Sequence, residues 1–439
     1  MRFLFQIIIV FLIIFNWRVP VFYNSVIVAM LLSIVYYVYN KRAIPITYFF
    51  QRYNATILIA TILLGVIVFA VSVFHGTEVM SDLQKRIWIQ FMMLTAMILA
   101  IPLLIEGKED YAFEKISAII CYVFALQGLI HLSGLFFSPV GDFLFEMKPE
   151  ALKIAVSDPA MNLDRFRTYA LAGSIFFELP AAYGIAFILF FRLSLIENQQ
   201  YISGWQQYIV LFLMIAGVIL SGRTGFVGLG IGVFLWLLFS FTKIIHFFVR
   251  NIWKIILAIS ILLIVFYFLF SSTQRQTLID DVFPFAFEAY YNWREGGKFA
   301  TGSTDVNFSE NFYFYLQDRT LLVGHGIADI SQYSKLGYNS TDVGYMKSMI
   351  FGGIPFLICL IIYQSLYFFK PLQLTGRGNT RDNRKDLWCF LLLFIYMFIL
   401  TLKESAMGTL HIVETLYLII GSSYMIRYYY KKGQEEIVK

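Results

Sequence analysis

Isolated arginines between apolar segments are the residues of this sequence best suited to chemistry. Arg165 and Arg167 lie in DRFRTYALAGSIFFELP, just before an apolar segment, and Arg223 lies in LSGRTGFVGLGIG, between two apolar segments. A guanidinium presents a fork of N–H donors that matches phosphate oxygens, so each position is a candidate phosphate-binding residue. Ordinary surface charge is the alternative for Arg165 and Arg167. For Arg223 the alternative is a side chain that extends to the water interface, since an isolated arginine beside lipid needs either a partner or water.

A second group of polar residues precedes the apolar segment that starts near residue 348. Arg319 comes just before LLVGHG, which contains His325, and Asp342 lies in NSTDVGYMKSMIFGGIPF. A histidine or an aspartate here could accept a proton from a hydroxyl nucleophile. The alternatives are a turn histidine held by the backbone for His325 and a helix N-cap for Asp342.

His411 and Glu414 form an ionisable pair inside the last apolar segment. They are three residues apart, which places them on one face of a helix. Such residues are functional candidates inside a membrane. A metal site needs further ligands, and His131 is the only obvious one. We therefore expect a structural hydrogen bond, or a pairing of Glu414 with Lys403, and no metal.

The glycines that follow Arg223 predict helix packing. Gly225, Gly228, Gly230 and Gly232 lie on one predicted helix, where small residues allow a neighbouring helix to approach closely. Neither a P-loop nor a Rossmann glycine pattern occurs in the chain. We therefore expect no nucleotide or other cofactor.

The composition indicates the elements that must position these residues. Of the 439 residues, 59% are hydrophobic and 14% are charged, against about 25% charged in ordinary soluble domains. The net charge of +6 is spread between apolar runs and forms no basic stripe, so nucleic-acid binding is not indicated. The sequence predicts an all-α polytopic membrane protein, with residues 1–439 forming a single membrane domain.

About twelve segments have the length and apolar character of transmembrane helices. The first and seventh are short, and the join between the seventh and eighth is a tight turn at Ser221, Gly222 and Arg223. The predicted spans are 3–17, 21–39, 55–74, 87–105, 116–137, 175–195, 206–221, 224–242, 254–271, 348–369, 387–402 and 408–426.

Lysine and arginine are concentrated in alternate connections between these spans. With the N-terminus inside, the inner segments contain Lys41 and Arg42, for example, whereas the short outer loops contain few basic residues. The positive-inside rule then predicts that both termini are cytoplasmic. Two long outer segments, 138–174 and 272–347, follow from this topology. The second is a large aromatic loop before the tenth helix, and its length predicts a functional, partly folded segment.

Together these motifs resemble the bacterial O-antigen and capsular polysaccharide repeat-unit polymerases of the Wzy type. The resemblance is carried by the arginines before the Glu-Leu-Pro step, the Ser-Gly-Arg-Thr-Gly turn, and the long loop with Arg, Gly-His-Gly and Thr-Asp-x-Gly-Tyr before Gly-Gly-Ile-Pro. The related O-antigen ligases share much of this layout. They usually have a His-Asn pair where this chain has Thr341 and Asp342, which favours the polymerase.

The resemblance implies a GT-C-like, metal-independent membrane glycosyltransferase at the periplasmic face of the inner membrane. Its substrates would be undecaprenyl-diphosphate-linked oligosaccharides, used in lipopolysaccharide or capsule biosynthesis. Its partners would include membrane lipid, a chain-length regulator and a flippase. Arg223, helped by Arg319 and by the arginines at 165 and 167, would bind the diphosphate. His325 or Asp342 would orient or deprotonate the acceptor hydroxyl.

Two other functions are compatible with the same layout. An O-antigen ligase would use the same chemistry on a different acceptor. A lipid-linked oligosaccharide flippase also suits twelve spans, but it would be expected to carry polar groups along its spans and short loops on both sides. The scarcity of intramembrane charge and the single dominant outer loop argue against the flippase.

Overall fold

Helices form most of the part of the chain that the structure describes, and no residue in that part belongs to a strand. The structure is a computed structural model, and it describes the chain except for residues 1, 20–21, 23, 44–45, 78–81, 149–152, 154–169, 173–176, 197–200, 242–271, 298–314, 329–332, 334–336, 339–340, 342, 377–380, 404–410 and 439. The principal helices are α1 (Arg2–Phe15), α2 (Ser25–Tyr39), α3 (Arg52–Phe74), α4 (Asp82–Ile105), α5 (Ala112–Phe136), α6 (Ser138–Glu146), α7 (Glu178–Ser194), α8 (Trp205–Ser221), α9 (Thr224–Phe241), α10 (Glu288–Gly296), α11 (Asp318–Val323), α12 (Gly344–Thr375), α13 (Arg381–Lys403) and α14 (His411–Val438).

The apolar helices indicate a membrane-embedded protein. Within the described residues, 6 helices are long and apolar enough to cross a membrane, namely α3, α4, α5, α9, α12 and α13. The shorter helices α1, α2 and α8 are also apolar. Each predicted span coincides with a helix except 254–271, which lies outside the described residues. The total of twelve spans and the GT-C-like arrangement stay predictions.

The chain divides into two compact units. The first contains residues 1–120 and 301–439, and the second contains residues 121–300. In the first unit α14 packs against α4 and α12, and α12 packs against α3 and α13. Arg427 of α14 bonds both Glu114 of α5 and Asp386 of α13. Because the arginine and Asp386 are almost fully buried, loss of Arg427 would leave the carboxylates of Glu114 and Asp386 without a compensating charge.

Helix α12 is broken near its middle. Gly352 and Gly353 have non-helical dihedral angles, and Gly353 has a φ of 71°. Pro355 follows the break and has no N–H to offer to the carbonyl four residues earlier. The carbonyls of Ile350 and Phe351 therefore need hydrogen-bond donors from outside the helix.

Glycines allow the helices of the second unit to lie unusually close together. A methyl group on Gly228 of α9 would lie 2.2 Å from the Cα of Gly184 in α7, and glycines at 225 and 232 make similarly close approaches. The prediction that these glycines permit close packing is confirmed at those three positions. Among the described residues it is wrong at Gly230: none of their atoms lies within 4 Å of its Cβ position, because Gly230 lies on another side of α9.

Candidate functional site

The Gly-His-Gly segment of the long loop docks on the break in α12. The N–H of His325 donates to the carbonyl of Ile350 at 2.7 Å, and the N–H of Gly326 donates to the carbonyl of Phe351 at 2.8 Å. These are the carbonyls that lose their helical donors at the break. The segment therefore completes the hydrogen bonding of α12, and the helix fixes the position of His325.

Only glycine fits at two positions of this contact. Gly324 has a φ of 69°, and a Cβ there would lie 2.3 Å from the carbonyl oxygen of Phe351. Gly353 has a φ of 71°, and a Cβ there would lie 2.7 Å from the carbonyl carbon of Leu322. Both residues thus combine a left-handed backbone with direct backbone contact, which a side chain would prevent.

The ring of His325 belongs to a short hydrogen-bonded chain. Its Nε2 lies 2.7 Å from the hydroxyl of Thr320 on α11, and that hydroxyl lies 2.7 Å from the phenol oxygen of Tyr338. Thr320 is fully buried, whereas His325 is half-buried. The backbone hydrogen bond holds His325 in place, as predicted by the alternative of a turn histidine held by the backbone. The Thr320 hydroxyl also orients the imidazole ring.

The surroundings of His325 favour the neutral imidazole. Burial lowers the pKa of His325, and the nearby positive charges of His75 and Arg319 lower it further. The Nε2 of His75 also bonds the carbonyl of Val323 at 2.9 Å, which brings the end of α3 against the loop. A neutral imidazole can accept a proton, so the environment suits a base or a hydrogen-bond acceptor.

Three of the other predicted site residues lie outside the described residues. They are Arg165, Arg167 and Asp342. Arg319 is described and is exposed on α11, in the same unit as His325. Helix α12 begins at Gly344 with Val343 as its N-cap residue, and the buried hydroxyl of Thr341 accepts the N–H of Val343 at 3.1 Å.

Arg223 occupies the turn between α8 and α9 in the second unit. Its guanidinium forms an ion pair with Glu288 of α10 and lies over the ring of Phe285, 4.9 Å from the ring centroid. Its side chain is 22% exposed, and burial lowers its pKa, although a guanidinium keeps its proton in proteins. We expected that an arginine here would need a partner or water, and Glu288 is that partner. Glu288 lies in the aromatic stretch FPFAFEAYYNW, and the sequence analysis did not single out this acid.

The second unit contains further buried polar groups, of which sequence analysis named only His131, as a possible metal ligand, and missed Gln127 and Lys148. Gln127 and His131 are fully buried on α5, and no described residue forms a hydrogen bond with either side chain. Lys148 lies beyond α6, is 2% exposed and donates to the carbonyls of Ala170 and Ala172. Burial lowers the pKa of Lys148 to about 7. The sequence signal was the i, i+4 spacing of Gln127 and His131, which puts both on one helix face.

Glu414 makes a structural hydrogen bond, as one of the two alternatives predicted. Its Oε2 accepts from the hydroxyl of Tyr363 at 3.0 Å, and the same phenol oxygen lies 2.8 Å from that of Tyr367 and 3.1 Å from the hydroxyl of Thr61. The acid is therefore part of a polar network that joins α3, α12 and α14. Within the described residues, no group of three histidine, cysteine or acidic side chains could hold a metal ion.

No protein-family model matches the chain, and no curated protein matches it. The resemblance to repeat-unit polymerases therefore rests on the short motifs quoted above.

Proposed function

We propose that the chain polymerises undecaprenyl-diphosphate-linked oligosaccharide repeat units into O-antigen or capsular polysaccharide. The enzyme would be a glycosyltransferase at the periplasmic face of the bacterial inner membrane, with both termini in the cytoplasm. The observation that carries the proposal is the placement of Arg223, a largely buried cation at a turn between two apolar helices. The motif resemblance supplies the substrate class.

The reaction would join two lipid-linked chains without a nucleotide. A terminal sugar hydroxyl of the acceptor attacks the anomeric carbon of the donor glycan. A new glycosidic bond forms, the bond from that carbon to the diphosphate oxygen breaks, and undecaprenyl diphosphate leaves. The hydroxyl proton passes to a base, a role that the neutral ring of His325 or the carboxylate of Asp342 suits by its chemistry.

Arg223 would stabilise the leaving diphosphate. Negative charge accumulates on the bridging oxygen as the glycosidic bond breaks, and preorganised donors in a water-poor site stabilise such charge most strongly. Glu288 and Phe285 hold the guanidinium in place before substrate binds. A diphosphate carries more negative charge than one carboxylate, so it can compete with Glu288 for the guanidinium.

The test combines gene deletion with complementation by variants. The deletion strain should make a single repeat unit without a ladder of longer chains on a polysaccharide gel. The wild-type gene should restore the ladder. Arg223→Lys keeps the charge but loses the fork, and we expect polymerisation to fall by about 100-fold or more. Arg294→Lys is the matched control, because Arg294 is an exposed residue of α10, and it should restore the full ladder.

The other outcomes separate the alternatives. A normal ladder from Arg223→Lys would show that bidentate binding of diphosphate by Arg223 is wrong. Long polymer left on the lipid carrier in the deletion strain would indicate a ligase. Repeat units trapped on the cytoplasmic side would indicate a flippase. Either of these results would refute the polymerase.

A further inference from the structure

A cavity lies where α1 begins and α2 and α4 end, in the first unit. Its volume is ≈ 270 Å³, close to the lower end of sizes known for ligand pockets. The first turns of α1 form one part of the cavity wall, and the last turns of α2 and α4 form the rest. The lining residues are Arg2, Phe5, Gln6, Tyr36, Leu103 and Glu106.

Three donor side chains surround one carboxylate oxygen at the edge of this cavity. The hydroxyl of Tyr36 donates to Oε1 of Glu106 at 2.7 Å, a full hydrogen bond. Arg2 and Arg42 lie 3.4 Å and 3.5 Å from the same oxygen. These separations exceed the roughly 2.7–2.9 Å of a charge-assisted hydrogen bond. Glu106 is therefore occupied mainly by Tyr36, and both arginines keep donors for another acceptor.

The charge balance of the site favours an anion. Two arginine charges face one carboxylate, and the ammonium of Lys115 lies close by, donating to the carbonyl of Ile105 at 3.0 Å. The side chains of Arg2 and Arg42 are 76% and 49% exposed, so a ligand can reach both of them. A tetrahedral phosphate would give each guanidinium its own oxygen, which the single Oε1 atom cannot do.

The apolar surroundings favour a lipid over free phosphate. Phe5 stacks on Tyr36 with ring centroids 5.8 Å apart, and Leu103 completes an apolar wall. Leu4 of α1 and Val35 of α2 are exposed on the same helices, and exposed apolar side chains of an embedded helix contact acyl chains. A headgroup in the cavity would thus continue into chains lying along α1 and α2.

We propose that this cavity binds the phosphate headgroup of an anionic phospholipid through Arg2 and Arg42. Basic pockets between transmembrane helices are a common form of headgroup site. The proposal is independent of the glycosyltransferase activity, because none of the residues assigned to that activity lines the cavity. It assigns the start of α1, which has no other role above, to lipid recognition.

The test measures lipid binding to the full-length protein purified in detergent. Native mass spectrometry would follow adducts with phosphatidylglycerol and with phosphatidylcholine. We expect phosphatidylglycerol to bind more tightly to the wild type. Arg2→Gln should weaken that binding about fivefold, and Arg2→Gln with Arg42→Gln about 25-fold, since each basic side chain contributes about a factor of five. Because the side chain of Arg2 is exposed, Arg2→Gln should not affect folding.

Two further variants complete the test, one expected to strengthen lipid binding and one expected to leave it unchanged. Glu106→Gln keeps an acceptor for Tyr36 but removes the competing charge, so phosphatidylglycerol should bind more tightly to it than to the wild type. Arg52→Gln removes one positive charge from an exposed residue at the start of α3, and binding should be unchanged. Equal binding of the two lipids, or an equal loss in Arg52→Gln and Arg2→Gln, would overturn the proposal.

Inorganic phosphate separates a lipid from a free anion as the ligand. Phosphate added at millimolar concentration should leave the phosphatidylglycerol adduct in place, because it lacks the acyl chains that contact the apolar wall. If phosphate displaces the lipid completely and itself remains bound to the wild type, the site is a phosphate site and the lipid assignment is wrong.

Discussion

Replacement of Gly228 by alanine should destabilise the second unit through a direct backbone collision. The added methyl would lie 2.2 Å from the Cα of Gly184 and 2.6 Å from its carbonyl carbon. Carbon atoms in contact need about 3.5–4.0 Å, so α7 and α9 would have to separate by more than about 1 Å. Overpacking of this kind costs about 1–3 kcal/mol.

Gly230→Ala is a matched control on the same helix. Both substitutions gain the same helix propensity, up to about 1 kcal/mol, so this contribution cancels between them. No atom of the described residues lies within 4 Å of the Cβ position of Gly230. Gly228→Ala should therefore be about 2 kcal/mol less stable than Gly230→Ala, measured by equilibrium unfolding of the purified protein in mixed micelles with circular dichroism. A difference below about 0.5 kcal/mol would refute the close contact of α7 and α9.

Two other predictions concern the environment of His325. Thr320→Val keeps the volume of the side chain but removes the hydroxyl between Nε2 of His325 and Tyr338. We expect roughly tenfold slower polymerisation, with recovery in Thr320→Ser, measured as chain growth on gels; equal rates for the two variants would exclude the hydroxyl as the positioning group. His75→Gln removes a positive charge that lowers the pKa of His325, so that pKa should rise. The ring would then be protonated at higher pH, and the acid limb of the pH–activity profile should move upward; an unchanged limb would mean that His325 does not control it.

The helices could be predicted from the sequence because the membrane restricts the choices. Backbone groups in lipid must be satisfied within the segment, so a long apolar run has to be a helix. The ends were less accurate. Helix α12 runs from Gly344 to Thr375, beyond the predicted 348–369, and α14 continues to Val438. Hydropathy reports where a helix meets lipid, whereas helical hydrogen bonding continues into the polar residues on either side.

The partners of the candidate site residues could be predicted only in kind. An isolated arginine beside lipid is costly, so Arg223 was expected to have a partner or to reach water. The residues near Arg223 in the sequence did not identify Glu288 as that partner, because Glu288 is distant in sequence. Likewise, Gly-His-Gly and Gly-Gly-Ile-Pro were visible as motifs. Their pairing depends on carbonyls that Pro355 and the two glycines leave open. Such complementarity is a property of the folded backbone, so residue types and spacing do not reveal it.

The docking of Gly-His-Gly on α12 gives the long loop a point that main-chain hydrogen bonds fix. Releasing His325 would break two backbone hydrogen bonds and leave the carbonyls of Ile350 and Phe351 without donors. Each unsatisfied buried group costs about 1–3 kcal/mol. The backbone position of the histidine therefore depends on main-chain groups of α12. If the chain polymerises glycans as proposed, its variants could acquire different glycan preferences through the rest of the loop without rebuilding the backbone position of the histidine.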